Sequence, residues 1–190
     1  MKLYEKLPDS VTVKGKKIRL DLDFRNVLRM MDVMQREYMM PEAREYLAMK
    51  SICRRPVPGM MGSVINLLFP KPEIEIEHQR ITDYEQDADL IRAAFMQAYG
   101  INLYRDRLHW FEFMALMAGL PQGSRYTEIL SIRARPLPAM TKYNAEERNW
   151  LIRAKAEYAI KTDEKEQARN YERNVQQIGK ALASFFGGGE

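Results

Sequence analysis

Short runs of apolar residues at three- and four-residue spacing recur along this chain, and a proline or glycine ends almost every run. Such breakers stand at Pro41, Gly59, Pro70, Gly119 and Pro136. Helices of this short length are stable only when their apolar faces pack against neighbours. The pattern therefore predicts a mainly α fold, a helical bundle of about six to seven helices.

The first 22 residues differ from the rest because they carry a strand pattern. Val11 and Val13 lie on one arm, Ile18 and Leu20 lie on the other, and Gly15 stands between the arms. Glycine at this place is typical of a hairpin turn with φ > 0. A lone hairpin is only marginally stable in water, so we expect it to pack on the helices.

The domain organisation follows from a change in composition near Lys161. Residues 1–160 are predicted to form a single helical domain that includes the hairpin at 1–22. Residues 161–190 are predicted to form a polar helical tail with a flexible, glycine-rich end. The apolar residues of the tail follow a narrow, coiled-coil-like seam: Ala168, Tyr171, Val175, Ile178 and Leu182. This seam indicates a projecting helix or a segment that folds on a partner.

Several polar residues are placed to begin helices. Asp23 precedes Phe24, Val27, Met31 and Met34, which follow at helical spacing. Ser124 is placed to cap a later helix. Asn144 and Glu147 have the spacing of a capping box before the last patterned helix.

Two helices are predicted to supply most of the core. One begins at Asp83 and carries Tyr84, Ile91 and Phe95 on one stripe. The other runs from about Arg105 to Ala118 and is apolar nearly all round, which predicts a central helix buried on several sides. The predicted core residues are Phe24, Tyr84, Ile91, Phe95, Leu108, Trp110, Phe111, Phe113 and Met114.

Composition excludes several classes of protein. Cys53 is the only cysteine, so the chain can form neither an intramolecular disulfide nor a CxxC zinc site. The N-terminus lacks the apolar core of a signal peptide. No uninterrupted apolar stretch reaches the roughly 18 residues that a membrane-spanning helix needs. We therefore expect a soluble, intracellular protein without a membrane segment.

Candidate catalytic residues are few. His109 is a possible base or metal ligand, and Asp83, Glu85, Asp87 and Asp89 are a possible acidic metal cluster. No zinc-protease, nucleotide-binding, calcium-loop or nucleophile-elbow motif accompanies them. A core histidine and carboxylates at a helix N-terminus account for the same residues. We predict no enzyme activity, no metal and no cofactor.

Basic residues cluster in the hairpin at Lys14, Lys16, Lys17 and Arg19. They are able to hold phosphates weakly, but the formal net charge of the chain is only +4. Lysines on a strand edge also prevent edge-to-edge association. Nucleic-acid binding is therefore a less favoured alternative.

Methionine is the unusual component, with 13 residues in the chain. Flexible, polarizable methionine side chains suit surfaces that meet variable apolar partners, although methionine also fills cores. Most of the methionines stand in the N-terminal third, and an exposed phenylalanine pair is expected near the C-terminus. The predicted partner-binding residues are Met30, Met34, Met39, Met40, Met60, Met61, Phe185 and Phe186.

Four segments in order resemble the bacteriophage family named for gene product fifteen. They read LPDSVTVKGKKIRLDLDFR, DYEQDADLIRAAFMQAYGINL, LHWFEFMALMAGL and ILSIRAR. The resemblance runs from about Leu3 to Ile160. The chain departs from the family pattern at Phe111, where the family usually has Trp, and at Ile132, where it usually has Tyr. The segment Glu42 to Glu77 matches the family poorly.

The resemblance implies a function through genome position, between the tail-tube and tape-measure proteins. That position implies a tail assembly chaperone in the cytoplasm of the bacterial host, which shields the hydrophobic tape-measure protein. The implied partners are the tape-measure protein, the tail-tube protein and further copies of the chain itself. The alternative is a structural tail or connector subunit that remains in the virion.

Overall fold

The computed structural model describes residues 4–70 and 80–161. Over those residues an antiparallel hairpin, β1 (Ser10–Val13) and β2 (Lys16–Arg19), is followed by seven α-helices. The helices are α1 (Phe24–Gln35), α2 (Pro41–Ile52), α3 (Met60–Leu68), α4 (Ala88–Tyr99), α5 (Trp110–Ala118), α6 (Arg125–Ala134) and α7 (Ala145–Glu157). The predicted mainly α fold with an N-terminal hairpin is therefore confirmed. The predicted tail beyond Lys161 lies outside the described residues.

The hairpin turns over two residues with left-handed backbone. Lys14 has φ 48° and Gly15 has φ 76°, and Val13 pairs with Lys16 across the turn. Positive φ at both central residues matches the right-handed twist of the two strands. Val11 and Val13 are buried, and β1 packs on α3. The hairpin is therefore attached to the helices through its apolar face.

The segment between β2 and α1 joins distant parts of the chain through backbone hydrogen bonds. Asp21 N donates to Ile52 O at the end of α2, at 2.7 Å. Trp110 N donates to Leu22 O at 2.7 Å, and Phe24 N donates to Leu108 O at 3.0 Å. These bonds fix the start of α1 beside the start of α5.

The helix predicted from Asp83 begins five residues later than expected. Asp83 Oδ1 accepts bonds from the backbone N–H groups of Glu85 and Gln86, at 2.9 and 2.8 Å. Asp83 N in turn donates to Asp87 Oδ2 at 3.0 Å. Short polar side chains that bond nearby backbone favour turns over helix. Residues 84–87 therefore form a turn, and α4 starts at Ala88.

Helix α5 also starts later than the apolar pattern predicts. Asn102 O accepts from the backbone N–H groups of Arg105 and Asp106, which form a turn where helix is expected. His109 then caps α5: its Nδ1 accepts from Phe111 N at 3.3 Å, and its backbone N–H donates to Glu112 Oε2 at 3.1 Å. This is a capping box with histidine as the cap residue.

The prediction that α5 is buried on several sides is wrong. The helix has nine residues, of which Trp110 and Phe113 are buried. Ala115 and Ala118 do not belong to the buried set, and Met114 is 38% exposed, so Met114 lies outside the core predicted to hold it. Apolar side chains on this helix serve partly to cover the outside of the core.

The remaining core residues lie close to where the pattern places them. Phe24, Ile91, Phe95, Trp110 and Phe113 are buried. Tyr84, Leu108 and Phe111 are half-buried and pack against them. On α1 the buried stripe is Phe24, Val27 and Met30, which turns Met31 away from the core centre.

The predicted capping box at Asn144 is absent. Asn144 Oδ1 accepts from Thr141 N at 2.8 Å, and its Nδ2 donates to Ala139 O at 2.8 Å. Glu147 bonds to Arg135 instead. The Asn144 side chain therefore closes the loop before α7 and makes no cap bond to the helix.

Candidate partner-binding groove

An open groove of about 840 Å³ runs between α1 and the segment from Arg80 to Arg92. The residues of its apolar floor are Phe24, Leu28 and Met31 of α1 with Ile91 and Phe113. Of these, Leu28 and Met31 are half-buried and present the accessible apolar surface, whereas the other three are buried beneath it. The rim is polar. Such an arrangement, with an apolar floor and charged edges, is able to take an apolar segment of another molecule.

The α1 wall has two parallel rows that follow from helical spacing. Phe24, Leu28 and Met31 form the apolar row at the floor. Arg25 and Arg29 begin the second row, which Asp32 and Arg36 continue at the rim. Positions three and four apart lie one above the other on a helix, so the apolar row runs from Phe24 to Met31 and the charged row runs beside it to Arg36, the C-cap residue of α1.

The opposite wall is the Asp83 turn and the first half of α4. Thr82, Tyr84 and Glu85 line the groove, and Thr82 Oγ1 shares a hydrogen bond of 3.1 Å with Tyr126 OH of α6. Tyr84 OH donates to Met114 Sδ at 3.5 Å. Bonds from two other helices therefore hold this wall in place.

A buried ion pair supports the turn from beneath. Arg133 of α6 bonds both oxygens of Asp87, at 2.7 and 2.9 Å, and the two side chains are 7% and 1% exposed. Arg133 also donates to Ile81 O at 2.9 Å and to Tyr158 O at 2.6 Å. One guanidinium thus joins the groove wall, α6 and the end of α7.

The floor of the groove continues into the core as a stack of rings. Phe24 stacks on Phe113 with centroids 4.7 Å apart, and Phe113 stacks on Phe95 at 5.4 Å. Phe95 then meets Tyr99 edge-on at 5.7 Å. The groove floor and the core are therefore one aromatic cluster.

Asp23 organises the start of the α1 wall. Its carboxylate caps α1 through Arg25 N at 3.1 Å and also bonds the guanidinium groups of Arg25 and Arg107. Burial disfavours the ionised carboxylate, but the hydrogen bonds and charge of Arg25 and the bond from Arg107 outweigh it. Together they hold the pKa of Asp23 below its ordinary value.

Two tyrosines have raised pKa values: Tyr84 of the opposite wall, and Tyr126 of α6, which bonds to that wall through Thr82. Burial raises the pKa of Tyr84. Burial also raises the pKa of Tyr126, against the opposing hydrogen bond from Thr82. Both phenols are therefore neutral over the ordinary pH range.

The predicted methionine surface is not formed as a unit. Met30 and Met60 are fully buried, which corrects their assignment to a partner surface, because they fill the core beneath α1 and α3. Met34 and Met61 are half-buried against the core, Met39 is half-buried, and Met40 is 73% exposed. None of these six lines the groove, whereas Met31 does. Phe185 and Phe186 lie outside the described residues.

Of the candidate catalytic residues, His109, Asp83, Asp87 and Asp89 have structural partners, whereas the Glu85 side chain is exposed. His109 Nε2 donates to Pro8 O at 3.1 Å, so the ring is held between the N-terminal segment and the start of α5. Asp83 and Asp87 are used by the turn and the buried ion pair. Within residues 4–70 and 80–161 no group of His, Cys, Asp or Glu side chains is arranged to hold a metal ion. No described helix combines the length and apolar character needed to cross a membrane.

These observations define the class of protein: mainly α-helical, with an N-terminal hairpin and an open groove of mixed charge. The family described as Bacteriophage Gp15 protein matches residues 3–69 and 65–160, so the chain belongs to that family and is a phage protein. The resemblance found from the sequence motifs is confirmed over the range predicted for it. Searches of curated proteins and of solved structures gave no match.

Proposed function

We propose that this phage protein is a tail assembly chaperone that binds apolar helical segments of the tape-measure protein in the groove. The observation that carries the proposal is the apolar floor, where the half-buried Leu28 and Met31 present apolar surface above the buried Phe24, Ile91 and Phe113. The groove would shield such a segment from aggregation before the tail tube forms. The binding needs no catalytic step, and it would take place in the host cytoplasm.

The length of the α1 wall is sufficient for several turns of a partner helix. From Phe24 to Arg36 the α1 wall rises about 18 Å, or roughly three helical turns. A partner helix with apolar residues at three- and four-residue spacing would place one row on the floor. Its polar residues would then lie between the charged rims and solvent.

Several copies of the chain would be needed along one long tape-measure protein. We therefore expect self-association in the presence of that partner, with the tail-tube protein as a further candidate partner. The stoichiometry of a purified complex, measured by analytical ultracentrifugation, tests this expectation.

Co-expression with the tape-measure protein tests the main proposal. The wild-type chain should keep the tape-measure protein in the soluble fraction as a complex. Met31→Glu should return it to the pellet because a carboxylate would stand on the apolar floor. Met140→Glu is the matched control, since Met140 is 77% exposed and lies outside the groove. Urea unfolding of both variants separates a binding defect from a folding defect.

The result that contradicts the proposal is a soluble complex that survives Met31→Glu, or a tape-measure protein that stays insoluble with the wild-type chain. Mass spectrometry of purified virions tests the alternative function. A chaperone is absent from mature particles, whereas a structural tail or connector subunit is present in them.

A further inference from the structure

Some charged side chains on the two rims of the groove form ion pairs within this chain, and others do not. Four rim arginines bond to carboxylates of the chain itself: Arg25 to Asp23, Arg36 to Asp32, Arg80 to Asp83 and Arg92 to Asp89. Paired charges present little net charge to an incoming molecule. The charges that remain unpaired decide what the groove attracts.

On the α1 rim the unpaired charge is positive. Arg29 lines the groove and bonds only the neutral amide of Asn26, at 3.3 Å, among the described residues. Arg25, one turn before it, and Arg36, nearly two turns after it, face the same opening but are paired with Asp23 and Asp32, so the unpaired positive charge of this rim is that of Arg29. The α1 rim is therefore the cationic side of the groove.

On the opposite rim the unpaired charge is negative. Glu85 is exposed at the Asp83 turn and lines the groove. Its carboxylate has no ion-pair or hydrogen-bond partner in the part of the chain that the structure describes, while Arg80 and Arg92 on the same wall are paired. The groove thus has an apolar floor between one cationic and one anionic edge.

We infer that the partner helix carries charges of opposite sign on its two flanks. Its apolar stripe lies on the floor, an acidic flank faces Arg29, and a basic flank faces Glu85. This inference rests on the proposed function and adds the chemistry of the segment that the groove selects. A helix with one sign of charge on both flanks meets repulsion at one rim.

Three designed helical peptides of about 16 residues, long enough to form isolated helices, serve as probes. All three share one leucine stripe. The first has Glu on one flank and Lys on the other, the second has Glu on both flanks, and the third has Lys on both. A helix that reverses its direction in the groove exchanges its left and right flanks. The two-sign peptide can therefore match the rims whichever of its flanks carries Glu. Binding is measured by fluorescence anisotropy at low salt with the full chain.

The wild-type chain should bind the two-sign peptide more tightly than either one-sign peptide, by about two- to fivefold in Kd. Arg29→Glu makes both rims anionic, and the preference should move to the Lys peptide. Glu85→Lys makes both rims cationic, and the preference should move to the Glu peptide. All three preferences should shrink as salt screens the charges.

Arg153→Glu and Glu157→Lys are matched controls, because both residues are exposed on α7 and outside the groove. They change the net charge of the chain by the same amounts as Arg29→Glu and Glu85→Lys do. Both control variants should still bind the two-sign peptide most tightly. Equal binding of the three peptides, or a preference that ignores the rim variants, overturns the inference while the groove remains a helix site. Failure of all three peptides to bind overturns the groove as a helix site, and with it the proposed function.

Discussion

Replacement of Arg133 by methionine should destabilise the fold strongly, because it separates a buried charge from its partner. The methionine side chain would fill much of the volume of the arginine stem but would leave Asp87 without a counter-charge. The carboxylate, 1% exposed, would keep only the bond from Asp83 N at 3.0 Å. Ile81 O and Tyr158 O would each lose a donor as well.

The magnitude follows from the burial of the pair. Removal of one partner from a buried ion pair costs about 3–5 kcal/mol, because the remaining charge is left uncompensated away from water. We therefore expect Arg133→Met to lower the free energy of unfolding by about 4 kcal/mol. Small domains have about 5–15 kcal/mol in total, so this is a large fraction of the stability.

Urea unfolding, followed by circular dichroism, measures this loss. Asp89→Asn is the control, because the Asp89–Arg92 pair lies on the surface and Asp89 has a 92% exposed side chain. Its loss should stay below about 1 kcal/mol. The double variant Asp87→Leu with Arg133→Met should lose less than the sum of the two single changes, since no uncompensated charge remains. A loss for Arg133→Met as small as that of the control would refute the reasoning.

Three further predictions concern the cap, the acid response and the turn. His109→Ala should cost about 1 kcal/mol in urea unfolding because α5 loses its cap, whereas His109→Asn should retain most of it; equal losses would contradict the capping role. Asp23 has its pKa below the ordinary 3.8 in the folded chain, so its ionised form stabilises the fold above that pH. That contribution should disappear as the pH falls through the folded-state pKa, and Asp23→Asn should flatten this part of a stability profile; an unchanged acid slope would count against it. Gly15→Ala should cost about 1 kcal/mol at φ 76°, while Gly62→Ala, within α3 and with open space around the added Cβ, should cost nothing or stabilise; similar effects for the two changes would argue against backbone strain at the turn.

Features that depend on neighbouring residues are predictable from the sequence. The turn at Gly15 and the helix starts at Asp23 and Ser124 follow from the local preferences of these residue types, and the structure contains each of them. The core positions Phe95 and Phe113 follow from apolar spacing within one helix. In these cases the local preference and the tertiary packing agree.

Predicted helix boundaries are wrong where a polar side chain has a second local use. Asp83 has the residue type of a helix cap, but it caps a turn instead, since Asp87 points inward to Arg133. Asp and Arg are separated here by 46 positions, so no local pattern indicates the pair. The sequence favours His109 as a core residue because histidine is a rare helix cap, although Glu112 three positions later carries the capping-box signal.

The groove is not predictable from the sequence because its walls come from distant parts of the chain. The rows on α1 are visible in the spacing of Phe24, Leu28 and Met31, but so is an alternative stripe through Met34. Because Met30 is buried, α1 is oriented so that Met31, and not Met34, lines the groove. Methionine content draws attention to α1, which forms one wall of the groove, but it does not indicate which side of α1 lines that groove.

The ring stack beneath the groove divides the groove residues into two groups: those whose replacement would destabilise the fold, and those that can change without that cost. Phe24 and Phe113 line the groove and stack on each other, and Phe113 also stacks on the buried Phe95, so a change in either one alters the stability of the fold. Arg29 and Glu85 stand at the edges, where their side chains hold no distant part of the described fold. Under the proposed function, descendants of such a chain would be free to acquire new partners by exchanging rim charges, while the floor stays under selection for folding. Drift in partner choice and drift in stability would then proceed on different residues.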